Sequence, residues 1–163
     1  MKRLIFIIFI SLALPGCKKN TAERRDVELY LLESFQLVTG KCQVDAGSAT
    51  LEGTPLLHNE DFLEYRRNDY EFTLTKAAFQ KVKALTPRTP FAVTVNKKVI
   101  YYAIYMPSFM SSTCDQSITM DLKNNENMIY LRLGYPWLTG APIDDQRNNA
   151  ELLTAFKNQE KLR

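Results

Sequence analysis

Hydrophobic and polar residues alternate along most of the apolar segments of this 163-residue chain, with the two-residue period of a β-strand. In the first such segment, Val27, Leu29 and Leu31 share one face, and Glu28 lies on the other. The segments of this kind are 27–35, 70–74, 91–95, 99–106, 117–122 and 128–133. The turn at 96–98 is expected to join two of them into a hairpin.

Between the first two strands, residues 36–58 are less regular. They contain three glycines and a proline, which favour turns over regular strands or helices. We therefore predict a long loop or a ragged hairpin in this region.

Three segments carry the signals of helices. Thr75 stands where an N-cap is expected, before a helix over 76–85. Asn59 likewise predicts a short helix over 60–65, and a last helix is expected to begin near Asp144 or Asp145, which we interpret as its cap and not as a calcium site. The residues expected to face the core are Ala78, Phe79, Val82, Leu85, Leu152, Leu153 and Phe156.

Strands and helices are interspersed, and several strands follow one another through short turns. This order favours an α+β fold, a mixed or antiparallel sheet of about five to six strands packed on two or three helices as a two-layer sandwich.

The first residues have the organisation of an export signal. Lys2 and Arg3 precede an apolar run over 4–14, which is too short to span a bilayer. The motif Leu14-Pro15-Gly16-Cys17 resembles the lipobox of bacterial lipoproteins. That resemblance implies a signal peptide over 1–16, cleavage after Gly16 and a lipid on Cys17; the alternatives are an ordinary cleaved signal or an uncleaved anchor.

The same resemblance implies a location and a domain plan. In bacterial lipoproteins, an aspartate directly after the lipidated cysteine favours retention in the inner membrane. Lys18 occupies that position here, so we expect the protein at the periplasmic face of the outer membrane. Residues 17–26 are polar and are predicted to be a tether, and 27–163 to be one domain.

Charge and composition exclude some classes of function. Removing 1–16 takes away Lys2 and Arg3 and no acid, so that 21 basic side chains become 19 against 18 acidic ones. Such a balance gives no basic surface for nucleic acid. His58 is the only histidine and has no ligand-spaced companion, so we predict no metal site.

Two cysteines remain besides Cys17. Cys42 and Cys114 lie in turn-like surroundings, and an even pair in an oxidising compartment favours a disulfide. Closing a loop of about 70 residues would stabilise the fold by about 4 kcal/mol in the chain-entropy model. The alternative is two separate thiols.

A second resemblance covers residues 72–122. Phe72-Thr73-Leu74-Thr75, the helix residues Ala77-Ala78-Phe79 and the hairpin Phe91 to Asn96 with its second arm from Val99 to Pro107 resemble the first periplasmic domain of SecD, the Sec translocase accessory protein. Asn96-Lys97 replaces that family's Asp-Gly turn, and its transmembrane bundle is missing. The resemblance implies an α+β fold and carries no translocation activity.

Aromatic residues suggest a candidate binding surface. Both faces of the predicted strand 99–106 are apolar or aromatic, which is typical of a central strand. The alternative is that Tyr101, Tyr105, Tyr130 and Trp137 form an exposed aromatic surface for a partner or a glycan.

Catalytic motifs are absent from the sequence. It has no Gly-rich phosphate loop, zinc spacing or nucleophile elbow, and we predict no cofactor. The first hypothesis is therefore a lipid-anchored, non-catalytic binding or assembly domain that docks on another envelope protein. The second is an envelope hydrolase that uses His58 with Ser111, Ser112 or an acidic residue.

Overall fold

The computed structural model describes residues 25–123, 126–136 and 143–163. Their regular elements, in chain order, are β1 (Val27–Ser34), β2 (Thr50–Leu51), β3 (Phe62–Arg66), β4 (Glu71–Leu74), α1 (Lys76–Lys83), β5 (Pro90–Val95), β6 (Lys98–Tyr105), β7 (Cys114–Lys123), β8 (Met128–Tyr135) and α2 (Ala150–Asn158). No helix among these residues is long and apolar enough to cross a membrane.

The strands form one sheet in the order β2-β1-β5-β6-β7-β8-β4-β3. Every neighbouring pair is antiparallel except β6 and β7, which run parallel. The predicted α+β class is confirmed. The predicted number of strands was too low, since the described residues contain eight strands and two helices.

Both helices pack on the same face of the sheet. Buried residues of α1 and α2 belong to one apolar cluster with alternating residues of the strands, as expected when a helix covers one side of a pleated surface. On the strands, the cluster includes Phe91, Val93 and Val95 of β5 and Tyr101, Ala103 and Tyr105 of β6. We call this side the helix face.

The helix predicted over 60–65 is wrong. A single 3-10 turn, Asn59–Asp61, leads directly into β3. Phe62 and Tyr65 are buried there, and the ring of Tyr65 stacks on that of Phe72 with centroids 4.5 Å apart. Because pairing with β4 buries these aromatic rings, tertiary packing outweighs the local helix-start signals.

Asn59 is also not the cap that we predicted. His58 occupies the N-cap position, whereas the buried side chain of Asn59 accepts a hydrogen bond from the backbone N–H of Val27 (3.0 Å) and donates one to Gln159 (2.8 Å). Asn59 therefore joins the start of β1 to the end of α2.

The cap predicted at Thr75 is confirmed, since its hydroxyl accepts a hydrogen bond from the backbone N–H of Ala78. The predicted start of the last helix is wrong. Asn149 caps α2 by accepting from the N–H of Glu151 (2.9 Å). Asp145 instead accepts hydrogen bonds from Arg147. Its negative charge therefore pairs with a buried side chain and does not interact with the start of a helix.

The β5–β6 hairpin forms where the sequence predicted it. Asn96 and Lys97 have positive φ angles of 50° and 65°, the left-handed conformation that two-residue hairpin turns favour. Asparagine adopts that conformation more readily than most residues, which explains how Asn96-Lys97 can replace an Asp-Gly turn.

Candidate functional site

The sheet opens between its two parallel strands. β6 and β7 pair only over Ala103–Tyr105 and Ile118–Met120, although both strands begin several residues earlier. Extending that register places residues 101–102 of β6 opposite 116–117 of β7, where the two strands are not paired. The result is a cleft within the sheet.

On the face opposite the helices, residues 36–48 fold into a hairpin-like segment that we call the flap. Its two arms meet at an isolated bridge between Leu37 and Val44, and the backbone N–H of Val38 donates to the carbonyl of Gln43 (2.8 Å). Gly40, with φ of +72°, lies in the turn, in a conformation that glycine adopts at little cost.

The disulfide between Cys42 and Cys114 fastens the flap to the start of β7. It is present as predicted, with 5.0 Å between the two Cα atoms. Ser117 adds a second link, because its hydroxyl donates to the carbonyl of Cys42 (2.6 Å). Cys42 and Met110 also pack against a small apolar cluster on this face, which contains Ile104, Met106, Cys114 and Tyr135.

A cavity of about 220 Å³ lies beneath the flap at the cleft. Its lining comes from the flap, from both strands and from the segment that precedes α2: Gln43, Val44, Ala46, Ile100, Tyr101, Tyr102, Gln116, Ser117, Ile118, Ile143, Asp144 and Gln146. Because Ile143 packs against the helix-face cluster while the flap covers the other face, the cavity has walls from both sides of the sheet.

Two buried polar atoms of the cavity residues have no hydrogen-bond partner among the described residues. They are the side-chain oxygen Oε1 of Gln116 and the hydroxyl of Tyr101. An unpartnered buried polar group typically costs about 1–3 kcal/mol. Such groups in native proteins commonly mark sites for water or ligands.

Arg147 anchors the wall formed by 143–146. Its guanidinium group is buried, donates two hydrogen bonds to the Asp145 carboxylate and one to the carbonyl of Leu131, and lies 3.6 Å from the centroid of the Tyr70 ring. These hydrogen bonds with Arg147 lower the pKa of Asp145. The positive charge is thus neutralised where it is buried.

The aromatic surface that we considered does not form as proposed. Tyr101 and Tyr105 are buried in the helix-face cluster, so neither ring is available to a partner, and the central-strand interpretation of β6 accounts for both. Burial raises the pKa of each hydroxyl. Trp137, like Cys17, lies outside the described residues.

Tyr130 lies on the face opposite the helices, in a polar cluster with Asp121 and Arg132. Its hydroxyl donates to Asp121 (2.9 Å), which also accepts from Arg132 (3.1 Å). The Arg132 guanidinium carbon lies 5.0 Å from the ring centroid of Tyr130 and 5.2 Å from that of Tyr135. Burial, followed by the hydrogen bond to Asp121, raises the pKa of Tyr130 to about 12. We interpret this cluster as structural.

Of the partners that the hydrolase hypothesis gave His58, the structure places an acidic residue, Asp61, beside it, but the described residues show no hydrogen bond from His58 to Ser111 or Ser112. His58 is exposed beside the 3-10 turn, and its backbone N–H donates to Asp61 (3.0 Å). Ser111 and Ser112 belong to the connection between β6 and β7. Among the described residues, no group of three or more metal-ligating side chains occurs.

Sequence reasoning missed the three glutamines of the cavity, Gln43, Gln116 and Gln146. They come from the flap, β7 and the segment before α2, and no motif connects them. Of the sequence predictions, the disulfide and the candidate residue Tyr101 fall in this region. No family model matches the chain, and it has no significant match among curated proteins or among solved structures.

Proposed function

We propose that this protein is a lipid-anchored envelope protein whose domain binds a small polar ligand without chemical conversion, in the cavity beneath the flap. The observation that carries the proposal is the cleft between β6 and β7, which is roofed by a segment fastened through Cys42–Cys114. Concave sites with a few polar groups among apolar and aromatic ones are the usual form of small-molecule sites.

The composition of the cavity supports binding over catalysis. Its polar side chains are amides, hydroxyl groups and one carboxylate, which hydrogen-bond well but are weak nucleophiles and bases without an activating partner. The only histidine lies elsewhere. Docking on another envelope protein stays a prediction, and Tyr101 and Tyr105 do not supply a surface for it.

Filling the cavity from the flap tests the proposal. Ala46 is exposed and lines the cavity, so Ala46→Phe should occlude it at little cost in stability. We expect ethanolamine, ethylene glycol, acetamide or glycolate to bind the detergent-purified full-length protein in saturation-transfer NMR, and Ala46→Phe to abolish that binding.

Ala77→Phe is the matched control, because Ala77 is also exposed but lies on α1. It should leave binding unchanged. The proposal is overturned if none of the four probes binds, or if both variants bind them as the wild type does.

A further inference from the structure

The charges around the cavity discriminate between classes of ligand. None of the described residues that line it is a lysine, arginine or histidine, and Asp144 contributes a carboxylate. Asp144 is exposed, so its charge lies where the cavity meets solvent. A carboxylate in this position attracts a cation and repels an anion.

The neighbouring cations do not cancel this charge. Arg147 follows the lining residue Gln146 in sequence but is paired with Asp145 (2.7 Å). Lys98, two residues before Ile100, is paired with Glu151. The carboxylate of Asp144 accepts a hydrogen bond from the Gln146 amide (2.7 Å), which leaves its negative charge in place.

The interior supplies further partners for a positively charged donor. Gln116 has an unpartnered buried oxygen, and rotation about its Cγ–Cδ bond, whose torsion χ3 is soft, can turn that oxygen toward the cavity. Tyr102 lines the cavity as well, and aromatic faces attract ammonium groups. An ammonium group has three N–H donors and no acceptor, which suits this set of groups.

We propose that the cavity binds a small organic amine in its protonated form, with its ammonium group between Asp144 and Gln116. This inference rests on the proposed function and adds the class of ligand. A cavity of about 220 Å³ that opens to solvent at Asp144 suits a small amine of a few carbon atoms.

Ethanolamine and ethylene glycol provide the test, because they differ only in an ammonium group and a hydroxyl group. We expect the full-length protein in detergent to bind ethanolamine about tenfold more tightly, an advantage that a partly solvated ion pair can supply. The ratio of the two affinities should fall as salt is added. Glycolate should bind more weakly than either ethanolamine or ethylene glycol.

Two substitutions localise the effect. Asp144→Asn should remove most of the preference for the amine, whereas Asp69→Asn, an exposed aspartate outside the cavity, should not. Gln116→Leu should weaken amine binding without lowering the melting temperature, since it removes an unsatisfied polar atom. Gln80→Leu on the exposed face of α1 is its control.

The outcomes separate this inference from the proposed function. If ethylene glycol binds as tightly as ethanolamine and Ala46→Phe abolishes both, the cavity is a ligand site but the amine proposal is wrong. An amine preference that survives Asp144→Asn also overturns it. If neither compound binds, the amine proposal falls, and the proposed function falls with it only if acetamide and glycolate fail to bind as well.

Discussion

Tyr65 and Tyr101 are both buried in the helix-face cluster, but their hydroxyl groups have different surroundings. The hydroxyl of Tyr65 donates to the carbonyl of Arg147 (2.8 Å) and lies 3.1 Å from the side-chain oxygen of Asn148. The hydroxyl of Tyr101 has no partner among the described residues. The same substitution at the two positions should therefore have opposite effects.

We expect Tyr101→Phe to raise the free energy of unfolding by on the order of 1 kcal/mol, because it removes a polar atom that burial leaves unsatisfied. Tyr65→Phe should lower it by about 1–2 kcal/mol, because it leaves a carbonyl of the α2 approach without its donor. Urea unfolding of both variants measures the two effects. A loss of stability in Tyr101→Phe would show that its hydroxyl has a partner.

Two capping predictions show how far a single residue can be interpreted from sequence. Thr75 precedes a helix with one apolar face. The local sequence pattern and the tertiary surroundings both favour Thr75 as the N-cap of this helix. Asn59 has the same local signal, but the N–H of Val27 and the side chain of Gln159 compete for its amide. Both competitors are distant in sequence, so no local rule could have identified them.

Among the elements, the flap depends most on a single covalent link. It has few regular backbone pairs of its own, and the disulfide closes a separation of 72 residues. Restricting so long a loop reduces the entropy of the unfolded chain, and the link also holds Gln43 and Val44 over the cavity.

Replacing both cysteines, Cys42→Ala with Cys114→Ala, should lower the free energy of unfolding by about 4 kcal/mol in the chain-entropy model. Hydrogen exchange over 36–48 should accelerate before exchange in the central strands does. Ser117→Ala, which removes only the hydrogen bond to Cys42, is the comparison and should cost about 1 kcal/mol. A double variant as stable as Ser117→Ala would contradict the expected role of the disulfide.

β3 shows why the number of strands was too low. Its five residues are too few for alternation to be distinguished from one turn of an amphipathic helix. In the structure this segment is a strand because it has hydrogen-bonding partners on both edges. β4 pairs with one edge, and the C-terminal residues pair with the other, where the N–H of Tyr65 donates to the carbonyl of Lys161 (2.8 Å).

For the whole molecule, the position of the first described residues bears on how the domain is attached. The carbonyl of Arg25 accepts from Gln159 (2.7 Å), and Asp26 exchanges hydrogen bonds with Asn96 at the β5–β6 turn. In the lipoprotein hypothesis, the chain that comes from Cys17 thus joins the domain beside this turn.

Cys17→Ser should leave an unprocessed precursor and abolish labelling with a clickable palmitate analogue, because the thioether to the lipid needs the cysteine sulfur. Fractionation should then find the wild type in the detergent-soluble membrane fraction. The Cys42→Ala, Cys114→Ala protein controls for the loss of a cysteine elsewhere and should still be labelled. Labelling of Cys17→Ser equal to the wild type would refute lipidation at this position.

The sequence by itself determined the features that rest on short-range physics. The alternation in β1, β5, β6, β7 and β8, the cap at Thr75 and the Asn96-Lys97 turn follow from side-chain periodicity and from the backbone conformations that each residue allows. The disulfide was predictable from the number of cysteines and the expected compartment.

Only the tertiary structure decided the parallel pairing of β6 with β7, the strand conformation of β3 and the cavity beneath the flap. Each brings together residues that are far apart in sequence, as when Gln43, Gln116 and Gln146 meet around one cavity. Such contacts depend on which strands become neighbours, and that choice is made by burial of the whole apolar surface and not by any local pattern.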